Sequence, residues 1–400
     1  MTHFVPLLGI ALILATAYVF SNNRRAISWR IVIWGISLQL LVAIFVLRTT
    51  PGYWLVSKVA GGAIWMLNFS YAGSEFVFGP LANPKGNLGL VFAFTALPMI
   101  IYVAAFFSIL YYLRVLPFMV RIIGKIMAKI MRTSGAESLE VAASIIMGQT
   151  EAPLVIRPYL DTLTESELMT IMTAGMAHIA GSTFGAYVLF GADPRHLLTA
   201  VVMTAPGTIL IAKMLIPEIG KPQTMGVFKI DTEKRDVNLL DAISHGVNDG
   251  LFLVLNVAAM LIAFIALIAL SNGILKIAHT SLQTLFGDVL GPVAWLLGVP
   301  WHDARIVGSL MATKLVINEF VAFSMLGPLK GKIAARSFII ATYALCGFAN
   351  FSSIGIQIGG IGALAPSRKK DLAKLGFRAL LAGTLANYLA AAMVGLLLTH

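Results

Sequence analysis

The alternation of apolar and polar segments divides most of this chain into stretches long enough to cross a lipid bilayer. One helical crossing requires about 20 predominantly apolar residues. The pattern predicts eight transmembrane helices, at residues 4–20, 31–47, 88–113, 165–190, 197–215, 251–270, 337–364 and 375–398. Residues 51–71 mix tryptophan and tyrosine with lysine and glycine, which is typical of an interfacial helix. The expected fold class is therefore an all-α membrane protein.

One apolar region is too short to cross the bilayer twice and carries polar residues at its centre. Residues 141–156 contain Gly148-Gln-Thr-Glu-Ala-Pro153 between two half-length apolar pieces. Such pieces predict a re-entrant hairpin, whose non-helical tip is tolerated only when it is buried in protein or lines a cavity. An ionisable residue at that depth indicates a functional site. The alternative is a soluble loop between two short core helices.

A second hairpin is predicted beyond residue 291, where Asp303, Lys314 and Glu319 interrupt apolar sequence. Two of the predicted spans also carry small and polar residues at their centres. These residues lie at 175–185 in the fourth span and at 347–355 in the seventh. Both helices are therefore expected to be interrupted there.

The two halves of the chain repeat one unit. Glu151 precedes Thr183 by 32 residues, and Glu319 precedes Phe351 by the same 32 residues. Each unit contains a hairpin with a glutamate, an interrupted helix and a further span. The first hairpin is expected to enter from the cytoplasm and the second from outside, an inverted repeat of the kind found in secondary transporters. The predicted division is a scaffold part, repeat 1, a cytoplasmic loop with scaffold span 6, and repeat 2, at residues 1–133, 134–216, 217–290 and 291–400.

Composition and charge agree with a membrane location. The chain has 58% hydrophobic and 12% charged residues, and the charged fraction is roughly half the ordinary value for soluble proteins. Its net charge of +11 comes from clusters between the spans, a pattern typical of cytoplasmic loops rather than of nucleic-acid binding. These clusters place both termini outside the cytoplasm in a cell (inner) membrane. Cys346 is the single cysteine, so an intramolecular disulfide and a cysteine-based metal site are excluded, and no cofactor is expected.

The polar residues of the hairpins and interrupted helices supply donors and acceptors for a polyhydroxylated solute. Half-helix ends add unpaired backbone groups, and Phe348 or Phe351 could stack on a planar ring. The side chains concerned are Gln149, Thr150, Glu151, Thr183, Glu319, Asn350, Ser352 and Ser353. An intramembrane hydrolase, a passive channel and a transporter of another solute are alternatives. The hydrolase is disfavoured because neither His-Glu-x-x-His nor Gly-x-Ser-x-Gly occurs.

Three ordered motifs resemble those of the concentrative nucleoside transporter family. They are Gly148-Gln-Thr-Glu-Ala-Pro153, Asn318-Glu-Phe-Val-Ala322 and Gly347-Phe-Ala-Asn-Phe-Ser-Ser353. The resemblance implies a nucleoside symporter, coupled to Na+ or H+, rather than an enzyme. It further implies a homotrimer in which each protomer has a scaffold domain and a transport domain that moves as an elevator.

The resemblance also implies which residues bind the substrate. Those expected at the nucleobase are Gln149, Thr150 and Glu151, with Thr183 beside them. Those expected at the ribose hydroxyls are Glu319, Asn350 and Ser353, near Phe348. An ionised Glu319 can accept from both hydroxyls of a ribose. The Gly148-Gln149 pair is similar to that of members accepting both purine and pyrimidine nucleosides.

The coupling-ion site departs from the family pattern. The resemblance places it at Ser144, Met147, His178 and Ile179, where sodium-coupled members carry an asparagine in place of Ser144 and a serine or threonine in place of His178. His178 has no oxygen to offer to sodium and titrates near neutral pH. One hypothesis is coupling to protons, with His178 or Glu151 carrying the charge. The other is a neutral His178 beside an intact or water-assisted sodium site.

Overall fold

The structure is a computed structural model that describes residues 4–83, 91–226 and 236–398, and all regular structure in these residues is helical. The start of the predicted third span and part of the predicted cytoplasmic loop lie outside the described residues. The α-helices in chain order are α1 (Val5–Val19), α2 (Trp29–Arg48), α3 (Thr50–Asn68), α4 (Ser70–Phe78), α5 (Phe92–Tyr112), α6 (Val115–Met131), α7 (Gly135–Ser144), α8 (Glu165–Ala177), α9 (Gly181–Leu189), α10 (Pro194–Leu215), α11 (Leu239–Leu275), α12 (Leu282–Leu296), α13 (Trp301–Val316), α14 (Glu319–Leu326), α15 (Ala335–Leu345), α16 (Phe351–Leu364) and α17 (Lys369–Leu397).

Among the described helices, five are long and apolar enough to cross a bilayer. They are α2, α5, α10, α11 and α17. Helices α12 and α13 pass the same test only as a pair, which is bent by 115°. Large apolar side chains on α11, such as Phe252 and Ile262, are exposed, as expected for a surface that faces lipid. The predicted class of all-helical membrane protein is confirmed.

The region around residue 148 forms two short helical pieces with a non-helical connection. Helix α7 has ten residues, all buried, and it packs against a 3-10 helix at Ala152–Thr162. A capping box begins α7, in which the Ser134 hydroxyl accepts from the Glu137 N–H and the Glu137 carboxylate accepts from the Ser134 N–H. Neither piece is long enough to cross a membrane, in agreement with the predicted hairpin.

The second hairpin consists of α13 and α14, and Asn318 begins its second helix. The Asn318 side chain accepts from the N–H of Val321 at 2.9 Å, which satisfies an unpaired donor of the helix start. At the other end of the hairpin, Asp303 accepts from the Ala334 N–H at 2.9 Å and from the Ser337 hydroxyl at 2.6 Å. The helix before this hairpin, α12, runs through residue 290, so the predicted domain limit there lies inside a helix.

Both interrupted spans break where the sequence predicts. Residues 178–180 separate α8 from α9, and residues 346–350 separate α15 from α16. The two breaks meet, because the Phe348 N–H donates to the His178 carbonyl at 3.2 Å. Polar and small residues there allow the backbone to leave the helix. The backbone N–H and carbonyl groups that lose their helical partners at one break therefore lie close to the other break.

A buried lysine holds the first hairpin to its neighbours. Lys213 on α10 lies 2.7 Å from the Glu137 carboxylate and 3.3 Å from that of Glu218. Its ammonium also donates to the Ser166 hydroxyl at 3.0 Å. The positive charge of Lys213 therefore balances Glu137, which is buried on α7.

At the opposite end of α10, Asp193 caps the helix and binds Arg195. Its carboxylate accepts from the Arg195 N–H at 2.9 Å and from Nε at 3.0 Å. Burial opposes ionisation of Asp193, but the hydrogen bonds and charge of Arg195 outweigh it, so the pKa of this carboxyl lies below its usual range. The Arg195 guanidinium also lies over the Tyr53 ring at 5.1 Å, which joins α10 to α3.

Candidate functional site

A cavity of about 670 Å³ lies where the hairpin tips, the helix breaks and α11 meet. All eight residues predicted to bind substrate line it: Gln149, Thr150, Glu151, Thr183, Glu319, Phe348, Asn350 and Ser353. Sequence reasoning did not include the wall contributed by α11, which consists of Asp249, Phe252, Leu253, Asn256, Val257 and Met260. The cavity is therefore polar on the side of the hairpins and mainly apolar on the side of α11.

Glu319 is held in place from both sides. It is 3% exposed; its Oε1 accepts from the Tyr187 hydroxyl at 3.1 Å and its Oε2 from the Asn350 amide at 3.3 Å. Asn350 is itself fixed because its Oδ1 accepts from the Ser353 N–H at 2.9 Å and begins α16. Sequence reasoning missed Tyr187, which is a core aromatic by composition. The carboxylate is thus positioned before any ligand arrives.

Gln149 links the first hairpin to α16. Its Nε2 donates to the Ser353 hydroxyl at 3.2 Å, and its Oε1 accepts from the Gln357 amide at 3.3 Å. Gln357 also donates to the Met172 carbonyl at 2.9 Å and is completely buried. The structure therefore joins Gln149 and Ser353, which the resemblance assigns to opposite ends of the substrate. Gln357 was not predicted, because the sequence on both sides of it in α16 is apolar or glycine.

The remaining predicted side chains differ in their hydrogen bonds and in their exposure. Thr183 is buried and donates its hydroxyl to the Ala180 carbonyl at 2.8 Å, so its oxygen faces a helix break. Glu151 accepts from the Gly148 N–H at 3.3 Å. Phe348 lines the cavity, whereas Phe351 is 47% exposed and packs on Phe377 with ring centres 6.3 Å apart. Of the two aromatic residues considered for stacking, Phe348 is the one at the cavity.

A second cavity of about 380 Å³ adjoins the first and shares five lining residues with it, which are Ala104, Glu151, Leu154, Ser182 and Asp249. It extends from Glu151 to Arg157, Asp236 and His245. His245 and Asp236 form a hydrogen bond at its far side. Glu151 therefore lies at the border of the two cavities.

The four predicted coupling-ion residues lie at the end of α7 and at the first helix break. Ser144 ends α7, Met147 lines the second cavity, and Ile179 is buried. His178 Nδ1 lies 2.9 Å from the Ala174 carbonyl, so Nδ1 carries the proton of this bond. The other ring nitrogen, Nε2, is buried and has no hydrogen-bond partner within the described part of the chain. A neutral His178 thus offers a lone pair rather than an oxygen.

A buried lysine and asparagine join the ends of two half-helices. Lys314 donates to the Ala344 carbonyl at 3.0 Å and to the Asn387 Oδ1 at 2.6 Å. Asn387 in turn donates to the carbonyls of Ala177 at 2.7 Å and Cys346 at 3.0 Å. The last carbonyls of a helix have no internal partners and carry negative partial charge. Lys314 and Asn387 satisfy them at the ends of α8 and α15, a role that sequence reasoning missed.

Gly347 is expected to tolerate no side chain in this junction. A Cβ at Gly347 would lie 2.4 Å from Asn387 Oδ1 and 2.5 Å from the Ala177 carbonyl oxygen. We expect Gly347→Ala to lower the free energy of unfolding by about 2 kcal/mol or more. A lower midpoint of thermal unfolding of the purified protein measures this loss. Gly355→Ala is the matched control, because no atom of the described residues lies within 4 Å of a Cβ there. Equal midpoints for the two variants would contradict the expectation.

The fold and the site define a class of protein. Discontinuous helices and hairpins enclose a polar cavity within an apolar, multi-span molecule, and such cavities are the binding sites of secondary transporters. Comparison with known proteins gives the family. Residues 8–81 and 196–395 match the models for the N-terminus and C-terminus of the Na+ dependent nucleoside transporters, and residues 93–194 match the nucleoside recognition Gate model.

Similar proteins cover the whole chain. An uncharacterized transporter of Bacillus subtilis is 43% identical over 98% of each chain. The nucleoside permease NupC of Helicobacter pylori is 37% identical over 97% of this chain and 96% of its own. CNTnw solved in an inward-facing substrate-bound state is 37% identical, with a TM-score of 0.94 over 99% of this chain and 98% of that one. A CNTnw variant in an outward-facing state gives a TM-score of 0.95 at 37% identity over 99% and 98% of the two chains.

The chain therefore belongs to the concentrative, Na+ dependent nucleoside transporter family. The family consists of transporters, so the alternative of an intramembrane hydrolase is set aside.

Proposed function

We propose that this protein imports nucleosides together with a cation, and that Glu319 is the centre of the substrate site. The observation that carries the proposal is the placement of an oriented carboxylate in a cavity shared with Gln149, Asn350 and Phe348. A carboxylate has lone pairs for two ribose hydroxyls in addition to the bonds it already accepts. Asn350 and Ser353 complete the ribose end, and Phe348 supplies an apolar face.

The nucleobase is assigned to the wall formed by the first hairpin. Gln149 and Thr150 supply an amide and a hydroxyl, and Glu151 supplies a carboxylate at the border of the second cavity. Thr183 lies beside them at the helix break. An amide both donates and accepts, which suits recognition of purine and pyrimidine bases alike. Phe252 and Leu253 of α11 would contact the base from the apolar side.

In the membrane we propose eight spans and two re-entrant hairpins of opposite orientation. The long helices α2, α5, α10, α11 and α17 would form five of the spans. Short α1 and the broken pairs α8–α9 and α15–α16 would form the other three. The first hairpin begins at Gly135, whose N–H donates to the Thr224 carbonyl. The second begins near Asp303, whose carboxylate binds residues at the start of α15. Glu137 near the first start binds Lys213 in the last turn of α10, whereas Lys330 just before α15 donates to the Gly191 carbonyl beside the first turn of α10. These contacts support an inverted repeat.

The two chain termini are assigned to the outside. Arg336 in the first turn of α15 donates to the carbonyls of Gly298 and Leu398, so the end of α17 lies at the same face of the molecule as the start of α15. The basic loops lie at the other face, where the Asn22 N–H donates to the Leu215 carbonyl and the Arg378 guanidinium binds the Asn22 side chain. Basic residues favour the cytoplasmic side, which supports a location in the cell membrane with both termini outside.

We further propose an elevator mechanism in a homotrimer. The scaffold would comprise residues 1–133 and α11, and the transport domain would comprise the two repeats at 134–216 and 291–400. Gly246 and Gly250 allow α11 to pack closely on α5, since a Cβ there would lie 2.7 Å from an Ala105 or Ser108 atom and 2.8 Å from an Ile101 atom. The cavity lies between this closely packed pair and the hairpins. Inward-facing and outward-facing states of CNTnw support a moving transport domain.

Sodium is the proposed coupling ion, as the family description favours. Proton coupling through His178 or Glu151 remains the second candidate. The buried Nε2 of His178 is the observation that favours it, because an imidazole there could take up a proton. Burial of a charged imidazolium without a partner is unfavourable, and this supports sodium.

Uptake of radiolabelled uridine into proteoliposomes tests the function and the ion together. A sodium gradient and a proton gradient are imposed separately, on the parent and on His178→Thr. We expect accumulation above the equilibrium level under the sodium gradient, and the variant to retain at least half of it. Accumulation driven only by protons and lost in the variant would assign coupling to His178. Uridine equilibration without accumulation would indicate a channel, and no uptake under either gradient would contradict nucleoside transport.

A further inference from the structure

Glu140 is a buried carboxylate that the proposed substrate site does not use. It lies on α7 with none of its surface exposed. Its Oε1 accepts from the Ser144 hydroxyl at 3.1 Å, and its Oε2 has no hydrogen-bond partner among the residues that the structure describes. Within the described ranges, no lysine or arginine nitrogen lies within 4.0 Å of this carboxylate. Burial of an ionised carboxylate with one hydrogen bond is strongly unfavourable, so Glu140 is held either as the protonated acid or beside a bound cation.

The neighbouring glutamate of the same helix shows what a balanced buried carboxylate looks like. Glu137 is equally buried, but Lys213 lies 2.7 Å from it. The same lysine lies beside Glu218 and the Ser166 hydroxyl. The charge of Glu137 is therefore balanced by the fold itself, whereas that of Glu140 is not.

The surroundings of Glu140 favour positive charge. Glu140 lies in the last turns of α7, and the C-terminal end of a helix carries negative partial charge. Helix α7 packs on α8, where Val141 and Ala174 share one apolar cluster. The Ala174 carbonyl holds the ring of His178, which leaves the unpaired Nε2. An orphaned carboxylate oxygen and an orphaned imidazole nitrogen thus occur on two helices that pack together, at the coupling-ion residues.

The spacing of the Glu140 and Ser144 side-chain oxygens allows both of them to bind one cation. Their oxygens are 3.1 Å apart. Two oxygens at that spacing can both contact one cation at about 2.4 Å, within the range of hard cations with oxygen ligands. Ser144 is shorter than the asparagine that sodium-coupled members of the family carry at this position. A carboxylate one turn earlier on the same helix face can supply the oxygen that the serine lacks.

We propose that Glu140 is a direct ligand of the coupling sodium ion, together with Ser144. The inference rests on the proposed function, because it concerns the ion whose gradient drives transport. Glu140 supplies one carboxylate oxygen and a full negative charge, and Ser144 supplies its hydroxyl oxygen. The anionic ligand offsets the loss of an amide oxygen and the presence of His178 in this site.

Sodium binding without nucleoside provides the test. The purified full-length protein is heated at a series of NaCl concentrations, with choline chloride holding ionic strength constant. A ligand that binds only the native state raises the unfolding midpoint with its concentration. We expect the parent to show this rise, and Glu140→Gln to need at least 10-fold more sodium for half of it. Glutamine keeps the size and can still accept from Ser144, so the change removes charge with little change of shape.

Glu137→Gln is the matched control, since it neutralises a buried glutamate of the same helix that already has a lysine partner. It is expected to lower the unfolding midpoint while leaving the half-maximal sodium concentration unchanged. Ser144→Ala should raise that concentration, and it provides the same readout if Glu140→Gln does not fold. Restoring the amide with Ser144→Asn in the Glu140→Gln background should recover part of the sodium response.

Three results would overturn the ligand assignment. They are a parent without any sodium-dependent rise, a Glu140→Gln protein with the parental sodium dependence, and a Glu137→Gln protein shifted as much as Glu140→Gln. Uptake separates this failure from failure of the proposed function. Uridine accumulation by a parent with no sodium response leaves nucleoside transport intact and overturns only the role of Glu140.

Discussion

Replacing Glu319 by glutamine is expected to lower the transport efficiency for uridine, the maximal uptake rate divided by KM, at least 100-fold. The carboxylate accepts from Tyr187 and Asn350 and keeps lone pairs for substrate hydroxyls. Glutamine has one acceptor oxygen, and its NH2 group would face a donor on one side. Hydrogen bonds to charged groups contribute about 1.5–3 kcal/mol each, so loss of two corresponds to a factor of 100 or more. Initial uptake rates over a range of uridine concentrations measure the effect.

Two further variants separate the carboxylate's role from general damage. Tyr187→Phe removes one of the two donors that orient Glu319, and we expect a loss of about 10-fold, mainly through weaker substrate binding. Glu165→Gln removes an exposed carboxylate paired with Lys374 at 3.1 Å, and uptake should not change. Retention of more than a tenth of parental efficiency by Glu319→Gln would contradict the assignment of ribose binding to this residue.

Replacing Lys314 by methionine is expected to cause the largest loss of stability. Its ammonium is fully buried and binds the Ala344 carbonyl and the Asn387 side chain. Methionine of similar length leaves both acceptors unpaired and removes the positive charge from the end of α15. Removing one partner from a buried charged network typically costs about 3–5 kcal/mol. Thermal unfolding of the purified variant measures this loss.

Lys374→Met is the matched control for Lys314→Met. Lys374 also binds a carboxylate, but the Lys374 and Glu165 side chains are 72% and 46% exposed. Surface ion pairs contribute about 0–1 kcal/mol, so the unfolding midpoint should change little. Asn387→Leu provides a second test of the junction and should destabilise about as much as Lys314→Met, because it leaves the Lys314 ammonium with the Ala344 carbonyl alone and removes the donors to the Ala177 and Cys346 carbonyls. Similar midpoints for Lys314→Met and Lys374→Met would contradict a structural role for the junction.

The sequence by itself determined the elements that depend on local chemistry. Long apolar runs predict membrane spans, and the short apolar pieces around Glu151 and Glu319 predict short helices, so the all-helical membrane class follows from the pattern. Small and polar residues mark the breaks, and the capping box of Thr164 and Glu167 begins α8 as its spacing predicts. The motifs around residues 148, 318 and 347 also identified the residues that line the cavity.

Only the tertiary structure decided how distant residues are combined. Tyr187, Gln357 and Asn387 lie in apolar helices, and their sequence context gives no sign that they bind Glu319, Gln149 and Lys314. Hydrogen bonds between residues 30 to more than 200 positions apart depend on which helix faces meet, and helical periodicity does not determine that. The same holds for Glu140 and Lys213: both are charged side chains in or beside an apolar hairpin, and only the packing shows that Lys213 balances Glu137 while Glu140 lacks such a partner among the described residues. The physical reason is that burial and charge balance are properties of the assembled interior, and the order of residues alone does not fix them.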